Sequence, residues 1–209
     1  MWLAGLAAAP LWFGSNTSTA VALNAIWFGV AAGVFEFTLL RAGRPHPVSL
    51  RRLALPAAAL AIVVLWVLLQ WVPGTPSSLW NSIWGTAAEN LSAPVAGRVS
   101  VDPDATLLAL VRLAVAALVF WLAVQFGWSR TRANLALTVL AAAGTLYCVY
   151  GVLAFFLMPG RLLWLAAPYA DAVTATFVNR NTVATYAGLT LVTLLALVTS
   201  LYRRAAEQG

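Results

Sequence analysis

The apolar residues of this chain come in unbroken blocks, most of them about as long as a bilayer is thick, and that feature alone removes most soluble folds. A helix crosses the roughly 30 Å hydrocarbon core in about 20 residues, and within it every backbone amide must find its partner inside the helix. Blocks of this kind run over 20–40, 53–72, 105–126, 134–157 and 182–201, and a shorter one covers 1–13. Together they predict an all-α polytopic membrane helix bundle of about six transmembrane helices in a single domain, with long outer loops at 73–104 and 158–181. Composition agrees, because 62% of the residues are hydrophobic and only 9% charged, too little polar surface to clothe a soluble domain. The 1–13 block lacks the basic start and small-residue cleavage pattern of a secretory signal, so it is read as a short first membrane helix.

The net charge of +6 first raises the question of a nucleic-acid partner, but its distribution argues against one. All of the basic residues are arginine, and they stand singly or in pairs at block ends instead of forming a stripe. Arg41, Arg44, Arg51, Arg52, Arg130, Arg132, Arg203 and Arg204 fall on one side of the expected topology, and only Arg98, Arg161 and Arg180 fall in loops on the other. Since cytoplasmic loops carry the arginine excess, both ends are expected inside and the long loops outside. Membrane lipids are then a partner by construction.

Several residues invite a chemical role. The lone Cys148 lies within an apolar block and reads as a packed thiol, and the lone His46, between Pro45 and Pro47, reads as a solvated loop residue. Neither suggests a metal or a cofactor, and none is expected. Two charges sit inside apolar blocks, where charge is costly enough to point to function. Glu36 is little more than one turn from Arg41 and can pair locally or reach the interface. Arg112 lies two turns below the outer end of its helix and is a candidate for an anion contact, with snorkelling as the alternative. The outer Arg98, Arg161 and Arg180 run against the charge bias, which binding an anion would explain; pairing with Glu89, Asp102, Asp104 or Asp171 would explain it equally. In the long loop, Leu79, Trp80, Ile83 and Trp84 have helical spacing, consistent either with a surface helix or with packed tryptophans. Asp102-Pro103-Asp104 looks like a helix start.

The segment Thr176-Phe177-Val178-Asn179-Arg180-Asn181-Thr182-Val183-Ala184-Thr185-Tyr186 opens the last block. A guanidinium flanked by two amides can hold phosphate oxygens, and a helix N-terminus adds backbone dipoles of the same preference. Asn179 or Asn181 acting simply as a helix cap is the plainer reading. The segment resembles the F-x-N-R-N signature, followed by Ala and Tyr, of the bacterial O-antigen ligase and polymerase superfamily. Ser100 to Thr106 and Arg112 to Trp121 also resemble sequence upstream of that signature. The resemblance covers about the last half of the chain in detail. It implies a bacterial inner-membrane glycosyltransferase of polysaccharide assembly that takes glycan from an undecaprenyl pyrophosphate carrier without a metal. Arg180, Asn179 and Asn181, with Arg112, Arg161 and Arg98, would bind the substrate. In that family the large outer loop with its catalytic histidine follows the N-R-N helix, so the chain is expected to represent an N-terminal half, incomplete at its C-terminus and completed by a further segment or a partner membrane protein. No catalytic residue is assigned. Two other classes stay open: a non-catalytic scaffold using Gly144 and Gly151 as a close-packing face, and a small transporter, for which the blocks offer few mid-membrane polar groups.

Overall fold

A computed structural model describes residues 1–15, 17–163, 165–166 and 172–208. Seven α-helices are present among them: α1 (Trp2–Ala8), α2 (Ser18–Arg41), α3 (Ala54–Trp71), α4 (Ile83–Leu91), α5 (Pro103–Gly127), α6 (Arg130–Leu157) and α7 (Arg180–Gln208). Apart from them, β1 (Arg161–Leu162) and β2 (Leu165–Ala166) form a two-rung antiparallel hairpin. Five helices are long and apolar enough to cross a membrane: α2, α3 with its leading turn from Leu50, α5, α6 and α7. They coincide with the five long apolar blocks, so the chain is a multi-pass helical membrane protein.

The expected sixth span at 1–13 does not form a full-length helix. α1 ends at Ala8 and passes into a 3-10 turn, Ala9–Leu11, that holds Pro10; Gly14 then takes φ +63°. Proline forfeits an amide donor, and a left-handed residue reverses the chain, so helix from Trp2 to Leu11 rises only about 15 Å. That is half a bilayer. The piece is held as a half-length helix: Trp27 Nε1 donates to the Met1 carbonyl at 3.3 Å and Tyr147 Oη donates to the Ala7 carbonyl at 2.8 Å. Five full-length helices put their two termini on opposite sides, so alternation no longer carries the expectation that both chain ends are cytoplasmic.

Local polar chemistry sets the helix starts. Thr17 accepts from the Ala20 amide at 3.2 Å, Ser129 from Arg132 at 3.2 Å and Asn179 from Asn181 at 2.8 Å. Asp102 Oδ1 accepts from the amides of Asp104 and Ala105 at 3.1 and 2.9 Å, with Pro103 as the first helical residue. Each cap satisfies amides that the helix itself cannot reach.

The chain divides into two compact units, Met1–Pro47 with Leu118–Gly209, and Val48–Ala117. The core of the first is built largely of small residues, Ala20, Ala31, Ala32, Ala141, Ala143 and Ala154, with Phe28, Leu122 and Phe177 between them. Small side chains let helix backbones approach where no hydrophobic drive operates. A Cβ on Gly144 would overlap the Thr190 side chain of α7, and one on Gly151 would come within 2.8 Å of the Ala175 Cβ. Both glycines are thus used within the chain, which removes them as support for a partner-binding face. In the second unit, no residue of α3 is buried, as befits a helix of mean hydropathy 2.4 that faces lipid. The loop beyond it folds on its indoles: Trp80 Nε1 donates to the Thr75 carbonyl at 2.7 Å, Trp84 Nε1 to the Ser100 carbonyl at 3.0 Å, and Trp80 lies over Gly97. The short helix expected from the spacing forms as α4 from Ile83, and the two indoles are packed against the loop, so elements of both readings are present.

Candidate functional site

The start of α7 gathers three of the residues singled out in the sequence. Asn179 caps the helix with its side chain, and its carbonyl accepts from the amides of Thr182 and Val183 at 3.1 and 3.3 Å. The capping role foreseen for Asn179 is therefore real. Capping leaves Arg180 as the first helical residue, exposed, and its guanidinium makes no hydrogen bond or ion pair with another described residue. Asn181 is exposed beside it. A cation and an amide thus stand at the positive end of a helix macrodipole, an arrangement that accepts an anion.

The segment leading into Asn179 is buried and well packed. Thr174, Ala175, Thr176 and Phe177 are all buried, Ala175 at the unusual φ of +48°. The Phe177 ring lies 5.2 Å from that of Tyr186, itself 6.1 Å from Tyr147 on α6. The hydroxyl of Thr176, a residue only 1% exposed, has no hydrogen-bond partner among the described residues. Such an orphan costs about 1–3 kcal/mol when it stays dry and unpaired, so its retention calls for a use. Thr176 also walls an apolar cleft of about 350 Å³, together with Leu11, Leu146, Tyr147, Tyr150 and Leu163. An apolar cleft therefore lies beside the segment that carries the exposed Arg180.

The other sequence candidates are less concentrated. Arg161 belongs to the same unit, exposed on β1, and its guanidinium has no partner among the described residues. Arg98 and Arg112 belong to the second unit. Arg98 is half-buried, and its backbone carbonyl accepts from the Asn81 amide at 2.9 Å. Arg112 is exposed yet not without a partner. Arg98, Arg161 and Arg180 form no ion pair with Glu89, Asp102 or Asp104, and Asp171 lies outside the described residues.

Sequence reasoning missed a second polar cluster, near the other end of the bundle. Glu36, expected to reach Arg41 or the interface, instead accepts from Trp121 Nε1 at 2.9 Å and contacts His46 Nε2 at 2.7 Å. His46, expected to be solvated, lies with its ring 5.4 Å from that of Trp121 and 6.5 Å from that of Phe35. The cause is the end of α2. Gly43 takes φ +59°, its amide donates to the Leu40 carbonyl and that of Arg44 to the Leu39 carbonyl, both at 3.1 Å. This left-handed termination turns the chain back along the helix and brings His46 to Glu36, while Arg41 runs outward, exposed. The available signal was an acid near the end of an apolar block followed closely by a glycine and the chain's single histidine. Among the described residues no group of three or more His, Cys, Asp and Glu comes together to hold a metal ion.

Comparison with known proteins gives no name to this arrangement: no family model, no curated protein and no solved structure matches the chain.

Proposed function

We propose that this chain is the front part of a bacterial inner-membrane glycan ligase or polymerase, in which the start of α7 receives the pyrophosphate of a polyprenyl-linked glycan. The observation that carries the reading is the guanidinium of Arg180, exposed and without a partner among the described residues, at the capped N-terminus of α7, in a motif whose preceding Thr176 walls an apolar cleft. A lipid-linked pyrophosphate demands that pairing, an anion site next to an apolar surface. Arg180 would clamp phosphate oxygens, Asn181 would add an amide donor, and Asn179 would hold the helix start in place. Arg161 shares the unit and is a further candidate for phosphate. The reading places the loops at 73–104 and 158–181 on the outer face.

Binding of labelled undecaprenyl pyrophosphate to the purified protein in mild detergent tests this directly. Arg180→Ala should weaken it at least about tenfold, the worth of one charge-assisted hydrogen bond, with helicity unchanged by circular dichroism. Equal affinity in the variant would remove Arg180 from the site and with it the support for this function.

A further inference from the structure

Helices α6 and α7 pack tightly at mid-length, where Gly144 admits Thr190, but they part between the first turns of α6 and the last turns of α7. The opening is a cleft of about 470 Å³ whose lining changes along the helices. Farthest from the helix ends lie Leu137 and Ala196; nearer come Asn134, Thr199 and Ser200; at the ends stand Arg130, Arg203 and Glu207. Apolar floor and charged mouth are about 10 Å apart, the seven residues from Arg130 to Leu137 along α6. An amphiphile lying along the membrane normal has that same order of groups.

The polar lining also has a direction. The hydroxyl protons of Thr199 and Ser200 are donated to the carbonyls of Leu195 and Leu197, at 2.8 and 2.7 Å, so toward a ligand these oxygens can only accept. Arg130 and Arg203 are exposed and make no hydrogen bond or ion pair with another described residue. Among the described lining residues, two guanidiniums against the Glu207 carboxylate leave a net positive charge that suits an anion.

The geometry points to a binding site here for one anionic phospholipid, such as phosphatidylglycerol. Arg130 and Arg203 take the phosphodiester, and the Asn134 side-chain amide, one helical turn deeper, donates to the ester oxygens, while Thr199 and Ser200, their protons already given to the helix, only border that level. An acyl chain follows Leu137 and Ala196 into the cleft. Arginine-rich pockets between transmembrane helices at a membrane surface are suited to such headgroups, and the site is independent of the α7 N-terminus.

Native mass spectrometry of the full chain in mild detergent, supplied in turn with phosphatidylglycerol, phosphatidylethanolamine and inorganic phosphate, tests the site. One phosphatidylglycerol should be retained per chain in preference to phosphatidylethanolamine, and excess inorganic phosphate should not displace it. The double variant Arg130→Ala/Arg203→Ala should lower retention about 10- to 30-fold, the sum for two arginines at a membrane surface. Ala196→Trp, which fills the floor and leaves every charge in place, should lower it comparably, so the proposal stays testable if the double variant misfolds. Arg44→Ala, an equally exposed arginine outside the cleft, should leave retention unchanged. Equal retention of the two lipids, displacement by inorganic phosphate, an equal loss in Arg44→Ala, or undiminished binding by Ala196→Trp would each overturn it.

Discussion

Glu36 is the residue whose removal tests the first unit most sharply, because one carboxylate ties two distant segments to α2. It contacts His46, ten positions on, and Trp121, 85 positions on. The side chains of Glu36 and His46 are each 37% exposed, so their contact is discounted for solvent to about 0.5–1 kcal/mol. Hydrogen bonds between transmembrane helices average about 0.6 kcal/mol, and an ionised acceptor raises the indole bond to about 1 kcal/mol. Glu36→Ala should therefore cost about 1.5–2 kcal/mol in reversible unfolding in mixed detergent micelles, followed by circular dichroism. Glu36→Gln keeps an acceptor for the indole and should cost about half as much. The decisive quantity is the double-mutant cycle with Trp121→Phe, which deletes the donor and keeps an aromatic ring. A coupling of about 0.5–1 kcal/mol is expected. If the two substitutions add to within about 0.3 kcal/mol, the indole–carboxylate bond contributes nothing and the account of α5 against α2 fails.

Three further substitutions probe separate features. Gly144→Val drives a side chain into Thr190 and should destabilise the α6–α7 pair by about 2 kcal/mol, whereas Gly33→Val, with open space at its Cβ, should stay within about 0.5 kcal/mol in the same unfolding assay. Thr176→Val removes a hydroxyl that has no partner among the described residues without changing the shape of the side chain, so stability should hold or rise by up to about 1 kcal/mol; a clear loss of stability would show that the hydroxyl is satisfied after all. Gly43→Ala forces a Cβ into a left-handed position and should cost about 1 kcal/mol and expose His46 to faster ethoxycarbonylation by diethyl pyrocarbonate; unchanged reactivity would detach His46 from the turn.

What could be read in the sequence follows from the range of the forces involved. The five long helices were legible because the bilayer imposes a length and a composition on each segment separately, and Asp102, Ser129 and Asn179 act as caps on amides two or three residues away. The half-length α1 was less so. Its apolarity matches that of a span, and only Pro10 and Gly14 record the break. The bond from Trp121 to Glu36 had no sequence signature, because it joins residues 85 apart whose meeting depends on how α2 and α5 approach. At Glu36 local reasoning offered Arg41, one turn away, and electrostatics alone would accept it. Backbone geometry decides otherwise: a left-handed glycine at 43 reverses the chain and returns a histidine, not an arginine, to the carboxylate. The same limit applies at α7, where Asn179 could be read as a cap, but the buried Thr176 hydroxyl and the cleft beside it appear only once α1, α6 and the 172–179 segment are packed together. The charge of Glu36 within an apolar block marks a position where folding must supply partners, and one of them, His46, is a property of the turn that follows the block, while the other, Trp121, comes from a distant helix.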